Sequence, residues 1–326
     1  MSVLLTGSEG FLGQHLLRAL AQDNSVFATA FPGASYPNAG PGTQIAFRYW
    51  DVREPVSDLG AADAVFHLAA MNGATSDFYE KPWQVLDTQI RGTLNVIDAC
   101  VKHNVKTLVL FSSSEVYQTP PVLPTPENVP LSIPDVTNPR YSYAGGKIAA
   151  ELMAWHSTIE RVVIVRPHNV YGPNAGYGHV IPGMIVDMDR TPIPVPPVDS
   201  MRPPRPAPYT IKGASCTRSF IHIDDFTSAM MAIWNHTQKQ TGRVREIYHV
   251  GTEDQVSITA LSGYIAAILE RRFSWKTARG ADGETMARCP DTKKLRSLGW
   301  EPKIELSDGL KRTVADYLEK REEWPA

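Results

Sequence analysis

The sequence predicts an α/β fold in which a parallel sheet is covered by helices on both faces. Short apolar segments recur along the first half of the chain, segments with helical spacing separate most of them, and a glycine-rich turn follows the first one. Strands that are buried on both faces are apolar throughout, and helical crossovers allow neighbouring strands to run parallel. The expected strands cover residues 2–6, 25–31, 44–50, 64–69, 106–111 and 161–166.

Three helices are expected from the spacing of apolar residues. The first covers Phe11 to Ala21, where four leucines fall on one helical face. These leucines are Leu12, Leu16, Leu17 and Leu20. Two longer helices are expected from about Trp83 to Lys102 and from about Ser142 to His156.

The regular alternation fades after Pro167, where proline and glycine become frequent. We therefore expect a dinucleotide-binding domain and a smaller substrate-binding part that follows it in the chain. The expected domains are residues 1–167 plus about 214–251, and about 168–213 plus 252–326.

Later segments still carry the patterns of folded structure. A strand is expected at Glu246–Val250, and an amphipathic segment covers residues 256–270. Residues 192–208 are rich in proline, which disfavours helices and central strands. They are expected to form an extended surface loop, or alternatively a lid in which Arg202 and Arg205 contact a phosphate.

Composition excludes several classes of protein. The 326 residues include 32 basic and 34 acidic side chains, so the net charge of −2 disfavours binding to nucleic acid or to an anionic membrane. No apolar run is long enough for a membrane span and no signal peptide is evident, so a cytoplasmic protein is expected. Neither the cysteines, Cys100, Cys216 and Cys289, nor the nine histidines show the spacing of a metal site, so no metal is expected.

A dinucleotide site is predicted where Gly7, Gly10 and Gly13 follow the first strand and open the first helix. Backbone amides at such a helix start can hold a pyrophosphate. An acidic residue normally closes the second strand of a dinucleotide site and binds the adenosine ribose, but here the strand ends at Phe31. The sequence therefore leaves open the choice between NAD and NADP.

A proton-transfer pair is predicted from Tyr143 and Lys147. Residues four apart lie on the same face of a helix, so the ammonium group of the lysine can favour the phenolate of the tyrosine. Tyr141 competes with Tyr143 for this role, but it lies six residues from Lys147 and points elsewhere. Such a pair suits hydride chemistry at an alcohol carbon, where a base removes the hydroxyl proton.

With these residues, the chain resembles the extended short-chain dehydrogenase/reductase family, and within it the nucleotide-sugar epimerases and dehydratases. The resemblance implies a Rossmann-type doubly wound parallel sheet with a smaller C-terminal substrate-binding subdomain. It implies tightly bound NAD, with NADP as the alternative, and a nucleotide-diphosphate sugar as substrate. It also implies a homodimer formed through the helices at 83–102 and 142–156.

The cofactor residues implied by this resemblance come from the glycine turn, from the segments after the third and fourth strands, from the helix of the tyrosine, and from the segment Arg166 to Pro173. They are Gly7, Gly10, Phe11, Leu12, Gly13, Asp51, Val52, Leu68, Ala69, Ala70, Tyr143, Lys147 and Pro167.

The resemblance also assigns catalytic and substrate-binding residues. The segment Phe111 to Tyr117 resembles the catalytic serine strand of the family, which gives Ser113 the role of hydrogen-bond donor to the sugar O4. The catalytic residues implied are Ser113, Tyr143, Lys147 and, for some reactions of the family, Glu115. The substrate-binding residues implied are Ser114, Asn169, Arg218, Arg288 and Asp291.

Three positions depart from the pattern of the family. Gln89 stands where asparagine is usual, Phe31 replaces the ribose-binding acid, and Gln118 replaces a glycine. The catalytic positions are all retained.

Three functions follow from these observations. The first is an epimerase that oxidises the sugar at C4 and reduces it again, which requires no second acid or base. The second is a 4,6-dehydratase, a uronate decarboxylase or a 4-dehydrogenase, in which Glu115 serves as an additional acid or base. Ser114 stands where many dehydratases have aspartate. The third is a non-catalytic sensor of dinucleotides, and retention of Ser113, Tyr143 and Lys147 argues against it.

Overall fold

The computed structural model describes residues 1–36, 45–56, 58–71, 75–192 and 206–325. Within these ranges the strands are β1 (Ser2–Thr6), β2 (Ser25–Ala30), β3 (Ile45–Tyr49), β4 (Ala64–His67), β5 (Thr107–Phe111), β6 (Arg161–Pro167), β7 (Val170–Tyr171), β8 (Ala207–Lys212), β9 (Thr217–Ser219), β10 (Ile221–His222), β11 (Val244–Val250), β12 (Gln255–Ser257), β13 (Phe273–Ala278) and β14 (Ala287–Arg288). The α-helices are α1 (Phe11–Leu20), α2 (Thr75–Glu80), α3 (Pro82–Lys102), α4 (Ser142–His156), α5 (Val180–Arg190), α6 (Ile223–Lys239), α7 (Ile258–Ile268), α8 (Lys293–Arg296) and α9 (Leu306–Glu319).

The central sheet has seven strands in the order β11-β6-β5-β4-β1-β2-β3, and every pair of neighbours runs parallel. The expected Rossmann-type fold is therefore confirmed. The chain order reverses between β1 and β4, so the connections after these two strands leave toward opposite sides. A crevice forms at such a point, outside the carboxyl ends of the strands.

All six expected strands are present, and the strand expected at Glu246–Val250 is the second part of β11. The largest difference is at β4, which ends at His67 although apolar residues continue to Ala70. Here the chain leaves the sheet because the amide of Ala69 donates to Oγ1 of Thr6, 3.2 Å away, and Ala69 packs against Gly7.

Two hydrophobic clusters cover the faces of the sheet. On one face, helices α1 and α6 pack their buried residues, such as Leu17 and Trp234, against β1 and β11. On the other face, α3 and α4 pack residues such as Val96 and Ala150 against the strands. Burial on both faces explains the continuously apolar strands seen in the sequence.

A third hydrophobic cluster joins α5, α7 and α9 in the C-terminal part of the chain, around Ile185, Leu261 and Leu310. The amphipathic segment expected at 256–270 contains α7. The boundaries between the expected domains stay a prediction. Most of the proline-rich segment, with Arg202 and Arg205, lies outside the described residues. Within the described ranges, no helix has both the length and the apolar composition needed to cross a membrane.

Helix α9 lies directly on β7 because Gly309 has no side chain. A Cβ atom at this position would lie 2.0 Å from Oη of Tyr171 and 3.1 Å from Cδ2 of His222. Both rings are buried, so neither can move away without displacing its neighbours. Close contact between α9 and β7 therefore requires glycine here.

We expect Gly309→Ala to lower the free energy of unfolding by about 1–3 kcal/mol, because the added methyl group overpacks this contact. Gly263→Ala in α7 is the matched control, since a Cβ atom there would meet nothing within 4 Å. It should raise the free energy of unfolding by about 0.5–1 kcal/mol, as alanine stabilises helices relative to glycine. Urea denaturation measures both; equal effects of the two substitutions would contradict the close contact.

Candidate active site

A cleft of about 500 Å³ lies at the carboxyl ends of β1, β4, β5 and β6. It brings together most of the residues expected at the cofactor and substrate sites. Those that line it are Gly7, Gly10, Phe11, Leu12, Gly13, Leu68, Ala70, Ser113, Ser114, Glu115, Tyr143, Lys147, Pro167, Asn169 and Arg288. A second cavity, of about 690 Å³, lies between segments 213–216 and 277–284, and none of the expected catalytic residues lines it.

The three glycines of the turn differ in what requires them. Gly7 has a φ of +71°, and its Cβ atom would lie 2.8 Å from the backbone of Ala69, while a Cβ atom on Gly13 would lie 2.1 Å from the carbonyl oxygen of Gly7. Gly10 is exposed, and its Cβ atom would meet only the oxygen of Gly7, at 3.4 Å. Packing of the chain therefore explains Gly7 and Gly13 but not Gly10. Because Gly10 is exposed and has no side chain, the start of α1 is open to a ligand.

The start of α1 suits a diphosphate. Its N-terminal residue, Phe11, follows Gly10, which supplies no side-chain cap, and the first turn contains no acidic residue. Unpaired amide groups and the helix dipole favour an anion at such an end. The residues present therefore fit the pyrophosphate of a dinucleotide.

Tyr143 and Lys147 lie on the first turns of α4 and are both buried. Nζ of Lys147 is 5.7 Å from the centroid of the Tyr143 ring and donates a hydrogen bond to the carbonyl oxygen of Phe111, 2.7 Å away. The Tyr143 ring stacks on Phe78 of α2, with 5.0 Å between centroids. The pair expected from the sequence is therefore assembled and positioned from two sides.

Burial lowers the pKa of Lys147 from 10.5 to about 7, although the carboxylate of Glu151, one turn further along α4, acts in the opposite direction. In the cofactor-free protein, Lys147 is therefore charged in only a fraction of the molecules at neutral pH. The electrostatic support that Lys147 gives to a Tyr143 phenolate is therefore smaller than that of a lysine that is always charged.

Ser113 follows β5 and precedes a short 3₁₀-helix, Ser114–Tyr117. Its Oγ accepts a hydrogen bond from the amide of Glu115 at 3.1 Å, and it lines the cleft together with Tyr143. A serine at this position keeps its hydroxyl hydrogen free to donate into the cleft.

Glu115 is bound to arginine side chains. Its Oε1 lies 2.5 Å from Nη1 of Arg288 and 3.8 Å from Nη2 of Arg140. Burial alone would raise its pKa, but Arg288, Arg140 and Arg218 outweigh that effect, so the pKa of Glu115 lies below its usual value. The carboxyl group is therefore ionised at neutral pH, and three guanidinium groups surround one carboxylate.

Five of the expected residues make contacts within the protein and do not line the cleft. Asp51 pairs with Arg53, and Val52 is buried against Gly92 of α3. Arg218 is buried, lies 3.5 Å from Glu284 and donates to backbone oxygens. Asp291 binds Lys293. Ala69 likewise contacts Gly7.

Two of the departures from the family pattern have structural explanations. Gln118 has a φ of 49°, so the backbone keeps a conformation that favours glycine. Nε2 of the Gln118 side chain donates a hydrogen bond to the backbone carbonyl oxygen of Glu115 at 2.6 Å. Gln89 is buried where α3 contacts α4, within 3 Å of the position that a Cβ atom on Gly146 would take.

A buried ion pair that the sequence did not predict lies next to the predicted catalytic residues. Arg166 binds Glu151 through two hydrogen bonds, Nε to Oε1 at 2.9 Å and Nη2 to Oε2 at 2.5 Å. Ser112 also donates to Glu151. Two signals could have found the pair: Glu151 lies four residues after Lys147 on the same helix, and Arg166 directly precedes Pro167. Arg140, which also faces Glu115, was missed as well.

The sequence model of the NAD dependent epimerase/dehydratase family matches residues 3–251. The chain belongs to this family. Membership makes the protein an enzyme of the epimerase/dehydratase class. Among the described residues, no group of three or more His, Cys, Asp or Glu side chains is arranged to hold a metal ion.

Relatives in the NAD dependent epimerase/dehydratase family catalyse different reactions. The chain is 26% identical to UDP-glucuronic acid decarboxylase 5 of Arabidopsis thaliana, over 97% of this chain and 89% of the relative. It is 29% identical to dTDP-4-dehydro-6-deoxy-D-allose reductase of Streptomyces bikiniensis, over 96% of this chain and 95% of the relative. Neither identity selects one reaction for this chain.

Solved structures share the fold. A UDP-galactose 4-epimerase matches with a TM-score of 0.79 and 24% identity, over 99% of this chain and 100% of the other. A dTDP-glucose 4,6-dehydratase from Streptomyces venezuelae, crystallised with NAD, matches with a TM-score of 0.81 and 24% identity, over 99% of each chain. The family fold therefore extends over the described chain.

The low pKa of Lys147 predicts how stability depends on pH in the cofactor-free protein. Between pH 7 and 10.5 the unfolded chain holds a proton on this lysine that the folded chain lacks. The free energy of unfolding therefore increases as the pH rises. Lys147→Met removes this contribution. The free energy of unfolding of wild type minus that of Lys147→Met should therefore rise with pH, by up to about 1.4 kcal/mol per pH unit.

Urea denaturation at several pH values between 6 and 10 measures this difference. Lys106→Met, which removes an exposed lysine charge, is the control and should follow the wild-type profile. Parallel profiles for wild type and Lys147→Met would show that the lysine is not held in a low-pKa environment.

Proposed function

We propose that the protein is a nucleotide-sugar epimerase that binds NAD in the cleft and acts through a transient 4-keto sugar. One observation carries the proposal. Ser113, Tyr143 and Lys147 share one cleft with an open diphosphate-binding turn, while the additional carboxylate, Glu115, is already paired with Arg288. This arrangement supports hydride transfer at one carbon without a second proton abstraction.

The glycine turn and the start of α1 would hold the pyrophosphate of the cofactor, and Lys147 and Pro167 would contact its nicotinamide end. When bound, NAD supplies a hydride acceptor that can return the hydride to the other face of C4. Related structures, including that of the dTDP-glucose 4,6-dehydratase, contain bound NAD, which supports the choice of cofactor.

The remaining chemistry belongs to the side chains of the protein. Tyr143 removes the proton from the O4 hydroxyl group as the 4-keto sugar forms and returns it in the second half of the cycle. Ser113 donates a hydrogen bond to O4, which stabilises the charge that develops there. Protonated Lys147 lowers the cost of the Tyr143 phenolate.

The state of Glu115 favours an epimerase over reactions that need a base at C5. A carboxylate with a lowered pKa is a weak base, and Oε1 of Glu115 is paired with Nη1 of Arg288 at 2.5 Å. Ser114 also stands where many dehydratases have an aspartate.

A second candidate function rests on the charge around Glu115. Arg140, Arg218 and Arg288 carry more positive charge than the two carboxylates beside them, Glu115 and Glu284, neutralise. A sugar carboxylate could therefore bind Arg288 and displace Glu115, which would suit a uronate decarboxylase. The similarity to UDP-glucuronic acid decarboxylase 5 supports this candidate. In a dehydratase or a 4-dehydrogenase, Glu115 would serve as the additional acid or base.

For the substrate site, we propose contacts with Ser114, Asn169, Arg218, Arg288 and Asp291. Asn169 lines the cleft and donates to the carbonyl oxygen of Ser219 at 2.8 Å, which connects it to the strand of Arg218. A forked guanidinium group such as that of Arg218 or Arg288 suits a diphosphate. These contacts would orient the nucleotide while the sugar reaches Tyr143.

Incubation with a panel of UDP-, GDP- and dTDP-sugars, without added cofactor, should yield an isomer of unchanged mass. Tyr143→Phe should lower kcat by about 100-fold or more, because it removes the group that transfers the proton. Tyr141→Phe is the matched control and should retain activity, since Tyr141 precedes α4 and does not line the cleft.

Mass spectrometry and chromatography of the products distinguish the candidates. Loss of carbon dioxide or water would contradict the epimerase and support the second candidate. Full activity of Tyr143→Phe would remove the tyrosine from the mechanism, and inactivity on the whole panel together with NAD binding would favour a dinucleotide sensor.

We also propose that the protein is a homodimer formed through α3 and α4. Their outer surface carries exposed apolar side chains at Trp83, Ile90, Leu94 and Val101 on α3 and at Leu152 on α4. The four α3 positions are spaced by seven, four and seven residues, so they lie on one face of the helix. An exposed apolar surface of this kind is typical of a protein interface.

Leu94→Glu should halve the mass of the particle in solution, because a carboxylate would be buried at the centre of the interface. Val136→Glu is the control: Val136 is 89% exposed in a loop, so the same charge there should leave the dimer intact. Light scattering after size exclusion measures both, and a monomeric wild type would disprove the dimer.

A further inference from the structure

The end of β2 lacks the acidic residue that a dinucleotide site normally uses to bind the adenosine ribose. Strand β2 ends at Ala30, and residues 31–44 contain no charged side chain. Phe31, which follows the strand directly, is 51% exposed. If the strand supplies no carboxylate, the ribose hydroxyl groups need an acceptor from elsewhere.

Glu9 brings a carboxylate to this place from the glycine turn. Its Oε1 accepts a hydrogen bond from the backbone amide of Phe31 at 2.8 Å. The turn is fixed on the same strand, since the amide and the hydroxyl group of Ser8 both lie 3.0 Å from the carbonyl oxygen of Thr29. Glu9 therefore lies across the end of β2, where the expected acid would be.

The second oxygen of this carboxylate has no partner among the described residues. Oε2 of Glu9 is buried and accepts no hydrogen bond, while Glu9 itself lines the cleft between Gly7 and Gly10. Buried polar atoms are almost always satisfied, and an unsatisfied carboxylate oxygen is costly. A ligand that donates hydroxyl groups at this point would satisfy it.

We propose that Glu9 binds the ribose hydroxyl groups of the adenosine half of NAD and makes the site selective for NAD over NADP. The inference rests on the proposed function, because it takes the cleft to be a dinucleotide site. A carboxylate accepts from two hydroxyl groups but repels the 2′-phosphate of NADP.

Two arginines lie in this region. Arg53 pairs with Asp51 at 2.5 Å and is therefore not free to compensate for the repulsion between Glu9 and a 2′-phosphate. The guanidinium group of Arg48 lies over the ring of Phe27, 4.8 Å from its centroid, and its Nε and Nη2 are buried with no hydrogen-bond partner among the described residues. Selectivity for NAD therefore rests on the charge of Glu9.

Calorimetric titration of the cofactor-stripped protein with NAD and with NADP tests the inference. Wild type should bind NAD at least about tenfold more tightly than NADP. Glu9→Gln keeps an oxygen acceptor for the Phe31 amide but removes the charge, so NAD affinity should fall about tenfold and the preference over NADP should shrink. Glu54→Gln, the same change at an exposed position after β3, should leave both affinities unchanged.

A second variant separates a role in ribose binding from a role in folding. Adding Phe31→Asp to Glu9→Gln places a carboxylate on the exposed residue after β2, and this change should restore tight binding of NAD. Unchanged NAD affinity and preference in Glu9→Gln, or tighter binding of NADP by wild type, would overturn the inference. The proposed function fails separately, if wild type binds neither dinucleotide.

Discussion

The buried ion pair between Glu151 and Arg166 is the interaction on which the geometry of the predicted catalytic residues depends. Glu151 lies on α4, one turn after Lys147, and Arg166 lies on β6 immediately before Pro167. Ser112, the residue before Ser113, binds the same carboxylate. The pair thus holds the helix of the proton-transfer residues against the strands that carry the serine and the proline. Removing either partner would leave a buried charge uncompensated, which typically costs about 3–5 kcal/mol.

The same pair also affects the electrostatics of the site. Glu151 raises the pKa of Lys147 against the effect of burial. A second pair, Glu115 with Arg288, lies in the cleft itself. The first pair positions the residues of the proposed hydride chemistry, whereas the second bears on which of the proposed reactions follows.

The sequence predicted those parts of the fold that depend on local patterns. Apolar strands, the glycine turn and the helix Ser142–His156 are all present, because burial on two faces and helical spacing leave a signal in neighbouring residues. Contacts between distant segments leave no such signal. Nothing in the sequence near Glu115 indicates that Arg288, 173 residues away, binds its carboxylate, and the end of β4 at His67 depends on contacts with the glycine turn. The roles of Tyr143, Lys147 and the three glycines came from their spacing and those of the other site residues came from resemblance, and all of them stay predictions.

The glycine turn shows why a motif predicts a fold more firmly than a ligand. Gly7 and Gly13 are required by contacts within the chain, whatever the cleft binds, since a side chain at either position would collide with backbone atoms. Gly10 meets no such obstacle, and it lines the cleft together with Glu9, whose Oε2 has no hydrogen-bond partner among the described residues. The residues that the chain does not need for its own packing are therefore the ones that carry information about the ligand. By that criterion, the preference for one dinucleotide lies in the turn itself, where Glu9 replaces the acid that β2 lacks.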